Sequence, residues 1–285
     1  MPSEKFGGSE SFEEKGIPPT LQRAIELQAA GQAPEEPIEP PFLNKADYIH
    51  VRDTILNLIE RTPLHNPYHN VEHTRGVEAR FLELARHSKL SAAAREWGGL
   101  RALLHDFGHC GQTIRQAAPA DIKRRDLSNE EYAALRAHTL FSRNFQSEQI
   151  IYLQTGILAT SFGQTQGEYM RQYRPVSDSE KLLAFADIAG CINGFQEWMV
   201  ERLHVLEEAP RETIPADFEK YLAVRKGFVN YCSMKLRDIE PLLEPSYYAG
   251  LEAKLSALDE NLSGNAGAER FRPFAKEFER IRAAD

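Results

Sequence analysis

Apolar residues recur every three or four positions along most of the chain after residue 45. The pattern is clearest in ADYIHVRDTILNLIERT, SKLSAAAREWGGLRALLHD and PADFEKYLAVRKGFVNYCSMKLRDIE. This period places the apolar side chains on one face of an α-helix. No segment alternates apolar and polar residues for long enough to predict a sheet. The pattern therefore predicts an all-α protein.

Two serines mark the starts of helices. Ser128 precedes Glu131 by three residues, and Ser177 stands in the same relation to Glu180. Each pair fits a capping box, in which the serine and the acid bind each other's backbone amide ahead of an apolar face. We therefore expect a helix to begin at each serine.

The first 44 residues differ in composition from the rest of the chain. They combine acidic, glycine-rich and proline-rich stretches around one short helical candidate, TLQRAIELQAAG. Such composition is typical of loops. We predict a loosely held N-terminal arm over residues 1–44 and one compact multi-helix domain over residues 45–285, with loops near 207–215 and 263–269.

Charge and composition narrow the class of function. The chain has 285 residues, of which 42% are hydrophobic, and a net charge of −8. That charge argues against a nucleic-acid polymer as partner, although a local positive site for a small anion is compatible with it. No apolar run approaches the roughly 18 residues that span a bilayer, so we expect no membrane partner.

Cysteine usage and the first residues bear on the compartment. Cys110, Cys191 and Cys232 are widely spaced and form no CxxC pair. This usage suits a reducing compartment and predicts core residues rather than ligands. The first residues also lack the basic and apolar regions of a secretory signal. We therefore expect a cytoplasmic protein and leave a homodimer open.

Histidines are concentrated between residues 68 and 110. His69 and His73 are four residues apart in YHNVEH, and His105 and His109 are four apart in HDFGH. On helices, this spacing would put each pair on one face. A single histidine is more often a satisfied core or surface residue than a ligand. The density of four within one short region is what indicates a metal site.

Two aspartates lie in strongly apolar surroundings. Asp106 follows LRALLH, and Asp187 lies within KLLAFADIAGCINGF. A buried, ionised carboxylate is costly unless a cation or several donors receive it. A helix cap or an ion pair would satisfy this need, and so would a divalent cation. Convergence of both aspartates with His73 and His105 would form a metal site.

These motifs, in this order, resemble the HD-domain superfamily of metal-dependent phosphohydrolases. The succession Y-H-N-x-x-H, H-D-x-x-H and A-D resembles the catalytic domain of class I 3′,5′-cyclic-nucleotide phosphodiesterases, from about Asn66 to Leu236. The resemblance implies a single all-helical HD-domain bundle. It also implies a phosphoric diester hydrolase whose substrate is a cyclic nucleotide or a related small nucleotide phosphodiester.

The same resemblance implies a binuclear metal site. His73, His105, Asp106 and Asp187 would hold the first metal, and Asp106 would bridge to a second, mostly hydrated one. Mixed nitrogen and oxygen ligands suit Zn²⁺, Fe or Mn²⁺ at the tight position and Mg²⁺ or Mn²⁺ at the second. The expected nucleophile is hydroxide bound to the metals.

Three further histidines receive roles from the resemblance. His69 matches the general acid that protonates the leaving oxygen, a role that suits an imidazole because its pKa lies near neutrality. His109 would orient the water of the second metal. His138 matches a histidine behind the ligands, and an ordinary, partly exposed helix residue is the equally good alternative.

The substrate pocket departs from the family pattern. Phe228 matches the phenylalanine that clamps the base, and Tyr68 either closes the pocket or packs against it. Arg225 stands where the family has a base-reading glutamine; it could bind a second phosphate, read a guanine or form an ordinary ion pair. The other departures are Gly190 for a frequent asparagine, Arg136 for the acid of E-N-H-H and Ser161 for the acid of A-T-D.

These departures leave two alternatives to a diesterase. A phosphomonoesterase or nucleotide pyrophosphohydrolase would keep the metal centre, and Arg225 favours it by offering charge for an extra phosphate. A non-catalytic metal-binding or nucleotide-binding module would fit the changes at Arg136 and Ser161. His69, which is surplus to the set of ligands, favours catalysis over the module.

Overall fold

The computed structural model describes residues 17–61, 66–109, 127–165, 168–172, 175–263 and 269–284. Within these ranges the fold is helical, so the predicted all-α class is confirmed. The helices are α1 (Pro19–Ala29), α2 (Lys45–Glu60), α3 (Val71–Arg86), α4 (Ala92–Leu104), α5 (Asn129–Phe141), α6 (Ser147–Leu158), α7 (Asp178–Ile188), α8 (Phe195–Glu208), α9 (Phe218–Ile239), α10 (Pro245–Leu262) and α11 (Arg272–Ala283).

A short antiparallel hairpin interrupts the helical pattern between α6 and α7. Its strands are β1 (Phe162–Thr165) and β2 (Glu168–Gln172), and they pair with one irregularity in register. The pattern of apolar residues predicts no sheet here. Strands of four and five residues are too short for a two-residue period to stand out from the surrounding sequence.

Two hydrophobic clusters form the core, and α4 contributes to both. One cluster lies among α3 and α7 to α11, and Ala102 of α4 belongs to it. The other lies among α1, α2, α5 and α6 and contains Trp97 and Leu100 of α4. Because α4 is enclosed on both sides, its C-terminal end is held firmly in the middle of the molecule.

Gly98 allows α3 and α4 to approach closely. A Cβ atom at this position would lie 1.9 Å from Cζ of Phe81 on α3, far inside van der Waals contact. Only glycine therefore permits this spacing between the two helices. The close contact brings the start of α3 beside the end of α4.

A buried arginine ties α4 to its neighbours. The guanidinium of Arg101 is fully buried, lies 3.4 Å from the ring centre of Tyr152, and donates from Nε to the Tyr152 carbonyl oxygen at 2.9 Å. It also donates to Ser179 Oγ at 3.3 Å. These hydrogen bonds join α4 to α6 and to α7.

The prediction of a loose arm over residues 1–44 is wrong for helix α1. Helix α1 packs against α5 and α6, and its residues Leu21 and Ala24 are fully buried. Gln28 Nε2 donates to the Thr155 carbonyl oxygen at 2.9 Å. The short candidate TLQRAIELQAAG has an apolar face that docks on the bundle, while residues 1–16 lie outside the described ranges.

Both predicted capping boxes are confirmed. Ser128 caps α5 with Glu131, and Ser177 caps α7 with Glu180. Cys191 and Cys232 are buried in the core, as predicted, and Cys110 lies outside the described residues. None of the described helices is long and apolar enough to cross a membrane.

Candidate metal centre

His73 is positioned by the first turn of α3. The helix is capped by Asn70, whose side-chain oxygen accepts from the backbone amides of Glu72 at 2.9 Å and His73 at 3.1 Å. We expected His69 and His73 to share a helix face, and this is wrong. His69 precedes the cap because asparagine satisfies the free amides of the first turn and so starts the helix after itself.

His105 and Asp106 stand at the end of α4. His105 is the C-terminal cap residue, and its Nδ1 donates to the Ala102 carbonyl oxygen at 2.8 Å. Because a carbonyl only accepts, this bond leaves the lone pair of Nε2 directed into the site. Asp106 follows in the turn that leaves the helix. The end of α4 therefore delivers one imidazole nitrogen and one carboxylate.

Asp187 comes from the last turn of α7. The backbone beside it is tied to α3, because Arg80 Nε donates to the Ala186 carbonyl oxygen at 2.7 Å. The helix itself is buried along most of its length. Asp187 is therefore presented to the same point as His73 and the end of α4.

The four predicted ligands converge. One ligand atom from each lies within 4.8 Å of the others. His73 Nε2 is 3.1 Å from Asp106 Oδ2 and 3.4 Å from Asp187 Oδ1, and His105 Nε2 is 3.0 Å and 3.5 Å from the same atoms. Donor atoms that each lie about 2.0–2.2 Å from one shared metal ion are separated from one another by roughly the distances found here. The cluster could hold a metal ion.

The electrostatics of the cluster also favour a cation. Oδ2 of Asp106 is buried and makes no hydrogen bond of acceptable geometry, although both imidazole nitrogens lie near it. Burial alone would raise the pKa of Asp106, but the charges on His105 and His69 hold that pKa well below its usual range. When His73 and His105 present lone pairs instead of protons, the two ionised carboxylates need a positive charge between them, and nitrogen and oxygen donors together suit Zn²⁺, Fe or Mn²⁺.

His69 forms a separate pair with Glu208 at the end of α8. One oxygen of Glu208 accepts from the backbone amides of Tyr68 at 2.6 Å and His69 at 2.9 Å. The other oxygen accepts from Nδ1 of the His69 ring in a short hydrogen bond. Burial opposes the charged imidazole, but Asp106 and Glu208 outweigh it and raise the pKa of His69. Glu208 thus orients the ring and favours its protonated form.

His109 is stacked on His69. A turn with Gly108 in the left-handed region, φ 83°, folds the chain back, and the two rings lie 3.6 Å apart at 14°. Asn129 Nδ2 donates to His109 Nε2 at 2.8 Å. Burial, and then the charge on His69, hold the pKa of His109 well below its usual range. The stacked pair therefore combines a charged and a neutral imidazole.

We expected His105 and His109 to lie on one face of a helix, and this is wrong because α4 ends at Leu104. The histidines pair across the site instead. The ring of His73 lies beside that of His105, and the ring of His69 is stacked on that of His109. His69, His109 and Glu208 form a second group whose possible ligand atoms lie within 4.8 Å of one another.

A cavity of about 380 Å³ opens in front of these groups. His69, His109, Asp106 and Gly108 line it together with apolar and polar residues from the end of α2 to the start of α3, namely Ile59, Glu60, Asn66, Pro67, Asn70 and Val71. Asp106 of the cluster that could hold a metal and the His69 imidazole therefore face the same open space. A small substrate placed there would contact both.

None of the predicted substrate residues belongs to the wall of this cavity. Tyr68 is buried, with its ring 4.3 Å from that of His73, and its oxygen accepts from Arg202 at 2.5 Å. Phe228 is half-buried, with the Arg202 guanidinium 5.2 Å from its ring centre. Arg225 lies over the ring of Tyr221 at 5.1 Å. Of the two possibilities for Tyr68, the structure shows the packing one.

His138 is not brought to the metal ligands. Its Nδ1 lies 3.0 Å from Thr20 Oγ1, so its observed contact holds α1 against α5. Arg136 lies 5.4 Å from the ring centre of Phe107. The acid that does come near Asp106 is Glu130 in the first turn of α5.

Two acids near the site were missed in the sequence. The charge of Asp106 acts on Glu130 and, after burial, helps to raise its pKa, while the side chain of Glu130 also bonds to Ser161. Glu208 follows another glutamate in VLEEAP, and no local pattern distinguishes the two. Glu130 stands between the residues of a capping box, where an acid is ordinary.

Comparison with known proteins adds no relative from which a role could be transferred. No protein-family model matches the chain, and no curated protein and no solved structure was found to be similar to it. The resemblance to HD-domain phosphodiesterases stays a prediction from the motifs. The geometry of the site itself carries the argument for function.

Proposed function

We propose that the protein is a metal-dependent phosphodiesterase that hydrolyses a cyclic nucleotide or a related nucleotide phosphodiester. One observation carries the proposal. One ligand atom from each of four residues lies within 4.8 Å of the others. His69 and Glu208, which are not part of this set of four, form a hydrogen-bonded pair beside it. Asp106 and His69 face one cavity, so metal ligand and proton donor could act on one substrate.

The four converging residues fit a tightly held ion. His73, His105, Asp106 and Asp187 would hold Zn²⁺, Fe or Mn²⁺, and Asp106 would also serve a more hydrated Mg²⁺ or Mn²⁺. When bound, two such ions neutralise charge on a phosphate and lower the pKa of coordinated water. The hydrogen bond from His105 to the Ala102 carbonyl fixes the nitrogen that is free for a metal.

His69 is suited to donate a proton to the leaving oxygen. Glu208 and Asp106 favour the imidazolium, and Glu208 fixes the ring so that Nε2 is the free donor. In hydrolysis, water oxygen bonds to phosphorus while the bond from phosphorus to the leaving oxygen breaks. His69 gives its proton to that oxygen, and the proton released by the water returns to His69 by way of solvent, which restores the resting state.

His109 would support this step as a neutral partner. Its Nε2 accepts from Asn129, and Asn66 Nδ2 donates to its carbonyl oxygen at 2.7 Å. With its ring held by Asn129 and its backbone held by Asn66, His109 stacks on His69 and limits the positions that His69 can take. Neighbouring imidazoles with pKa values moved in opposite directions are typical of acid–base sites.

The test separates the proton donor from the metal site. His69→Asn is expected to lower diester hydrolysis by about 100- to 10,000-fold because it removes a general acid. Asp187→Ala is expected to lower both activity and bound metal. His50→Asn, at an exposed position on α2, is the matched control and should change neither. Bound metal is measured by elemental mass spectrometry on the same protein samples used for activity.

The outcome that would overturn the proposal is full diester hydrolysis by Asp187→Ala protein without metal. The products discriminate the alternatives. Inorganic phosphate released from a nucleotide would indicate a phosphomonoesterase, and pyrophosphate would indicate a pyrophosphohydrolase. Nucleotide binding without turnover in Mn²⁺, Mg²⁺, Zn²⁺ and Fe²⁺ would indicate a binding module.

A further inference from the structure

Arg202 links the metal centre to a second group of charged residues between α8 and α9. It is only 5% exposed, and its guanidinium carbon lies 4.7 Å from the ring centre of Tyr68 and 5.2 Å from that of Phe228. It donates to the Tyr68 oxygen at 2.5 Å, while its Nε is buried without a hydrogen-bond partner. Because Tyr68 also packs on His73, the charged group adjoins the metal site.

Arg225 lies on α9, where the charge of Arg202 acts on it, and no acid of the described chain pairs with its guanidinium. Its side chain is half-buried over Tyr221, and its Nε is buried without a hydrogen-bond partner. No carboxylate among the described residues lies within 4.0 Å of its guanidinium. Burial, together with the charge of Arg202, lowers the pKa of Arg225. The charged residue that acts on Arg225 is therefore another cation, Arg202, rather than an acid.

Among the described residues, the carboxylate that lies close to Arg202 belongs to Glu201. Its Oε2 lies 3.9 Å from Nη2 of Arg202. The same oxygen would lie 2.2 Å from a Cβ atom at Gly190, so it occupies the space that a side chain there would fill. Glu201 therefore partly offsets Arg202, while Arg225 has no carboxylate partner among the described residues.

We propose that Arg225, backed by Arg202, binds a second phosphate group of the substrate, distinct from the phosphate that is cleaved. A half-buried, unpaired cation is costly, and a dianion removes that cost. The planar guanidinium donates two parallel hydrogen bonds to phosphate oxygens. The edge of a neutral base would satisfy the donors but leave the charge uncompensated. The inference rests on the proposed function, in that the substrate is a nucleotide ester.

The experiment compares two substrates that differ by one terminal phosphate, the dinucleotide ApA and its 5′-phosphorylated form pApA. The wild-type protein is expected to prefer pApA by about 10- to 100-fold, mainly through KM, as one charge-assisted contact allows. Arg225→Gln should bring the preference close to one. Lys220→Gln, which removes one charge from an exposed position on the same helix, is the control and should keep the preference.

Hydrolysis of bis(p-nitrophenyl) phosphate, which has no second anionic group, separates this inference from the proposed function. If the protein cleaves this diester but Arg225→Gln keeps the preference for pApA, the inference is overturned and the function stands. If the protein cleaves no diester, the function fails, and the ratio of ApA to pApA dissociation constants, measured by calorimetry, decides the inference in the same way. A change confined to discrimination between cyclic AMP and cyclic GMP would show that Arg225 reads a base and would also overturn it.

Discussion

Replacing Glu208 by glutamine should weaken His69 as the proposed proton donor without disturbing the four proposed metal ligands. The substitution keeps an oxygen that can accept from the Tyr68 and His69 amides but removes the negative charge beside the His69 ring. A hydrogen bond to a charged group contributes about 1.5–3 kcal/mol. Since each 1.36 kcal/mol is a factor of ten, we expect kcat/KM to fall by about 10- to 100-fold at mildly alkaline pH.

The pH profile should identify the cause of that loss. The general acid must be protonated, and the raised pKa of His69 keeps it so as the pH rises. Without the charge of Glu208 this pKa falls, so the alkaline limb of kcat/KM should move to lower pH. At acidic pH, where the imidazole is protonated in both proteins, the difference between them should shrink.

The assay is diester hydrolysis across the pH range, with bound metal measured in parallel. Glu207→Gln is the matched control, because it makes the same change in charge at the neighbouring position, where the side chain pairs with Arg280. We expect this control to keep both rate and profile. An equal loss for Glu208→Gln at every pH, with the alkaline limb unmoved, would refute the role assigned to Glu208.

Changes at two glycines and at one buried ion pair should alter the free energy of unfolding, which is measured by urea denaturation. Gly98→Ala should destabilise the fold by about 1–3 kcal/mol because the added methyl would overlap Phe81, whereas Gly250→Ala, with nothing within 4 Å, should stabilise it by about 0.5–1 kcal/mol. A stable Gly98→Ala protein would contradict the close packing of α3 on α4. Arg52→Ala should lower the free energy of unfolding by about 2–3 kcal/mol, because the buried carboxylate of Glu78 then keeps only its hydrogen bond from Tyr48. Adding Glu78→Gln removes the uncompensated charge and should recover part of this loss. A double variant that is no more stable than Arg52→Ala would contradict this explanation.

The helices and the four converging residues of the candidate metal centre could be predicted because their signals are local or energetic. Apolar period and capping boxes act within a few residues, as at Ser128 and Ser177. The burial cost of a carboxylate pointed to Asp106 and Asp187 before any contact was known. Both kinds of signal depend on only a few neighbouring residues. The structure confirms that the four residues form a cluster that could hold a metal.

The surroundings of the cluster could not be predicted because they depend on distant partners. Glu208 lies 139 residues from the histidine that it orients. The spacing predicts His69 and His109 on helices. Both lie outside α3 and α4 because of where these helices begin and end, and their rings stack on each other. The docking of α1 depends likewise on α6, which lies more than a hundred residues later. Propensity and spacing carry no information on such pairings.

The most direct test of the metal centre is diester hydrolysis by one protein sample before and after its metal is removed. Bis(p-nitrophenyl) phosphate is the substrate, and the sample is treated with a chelator, dialysed and reloaded with Mn²⁺. We predict that activity disappears with the metal and returns on reloading, and that Asp106→Ala protein neither binds the ion nor recovers activity. Undiminished hydrolysis by the metal-free protein would contradict the account.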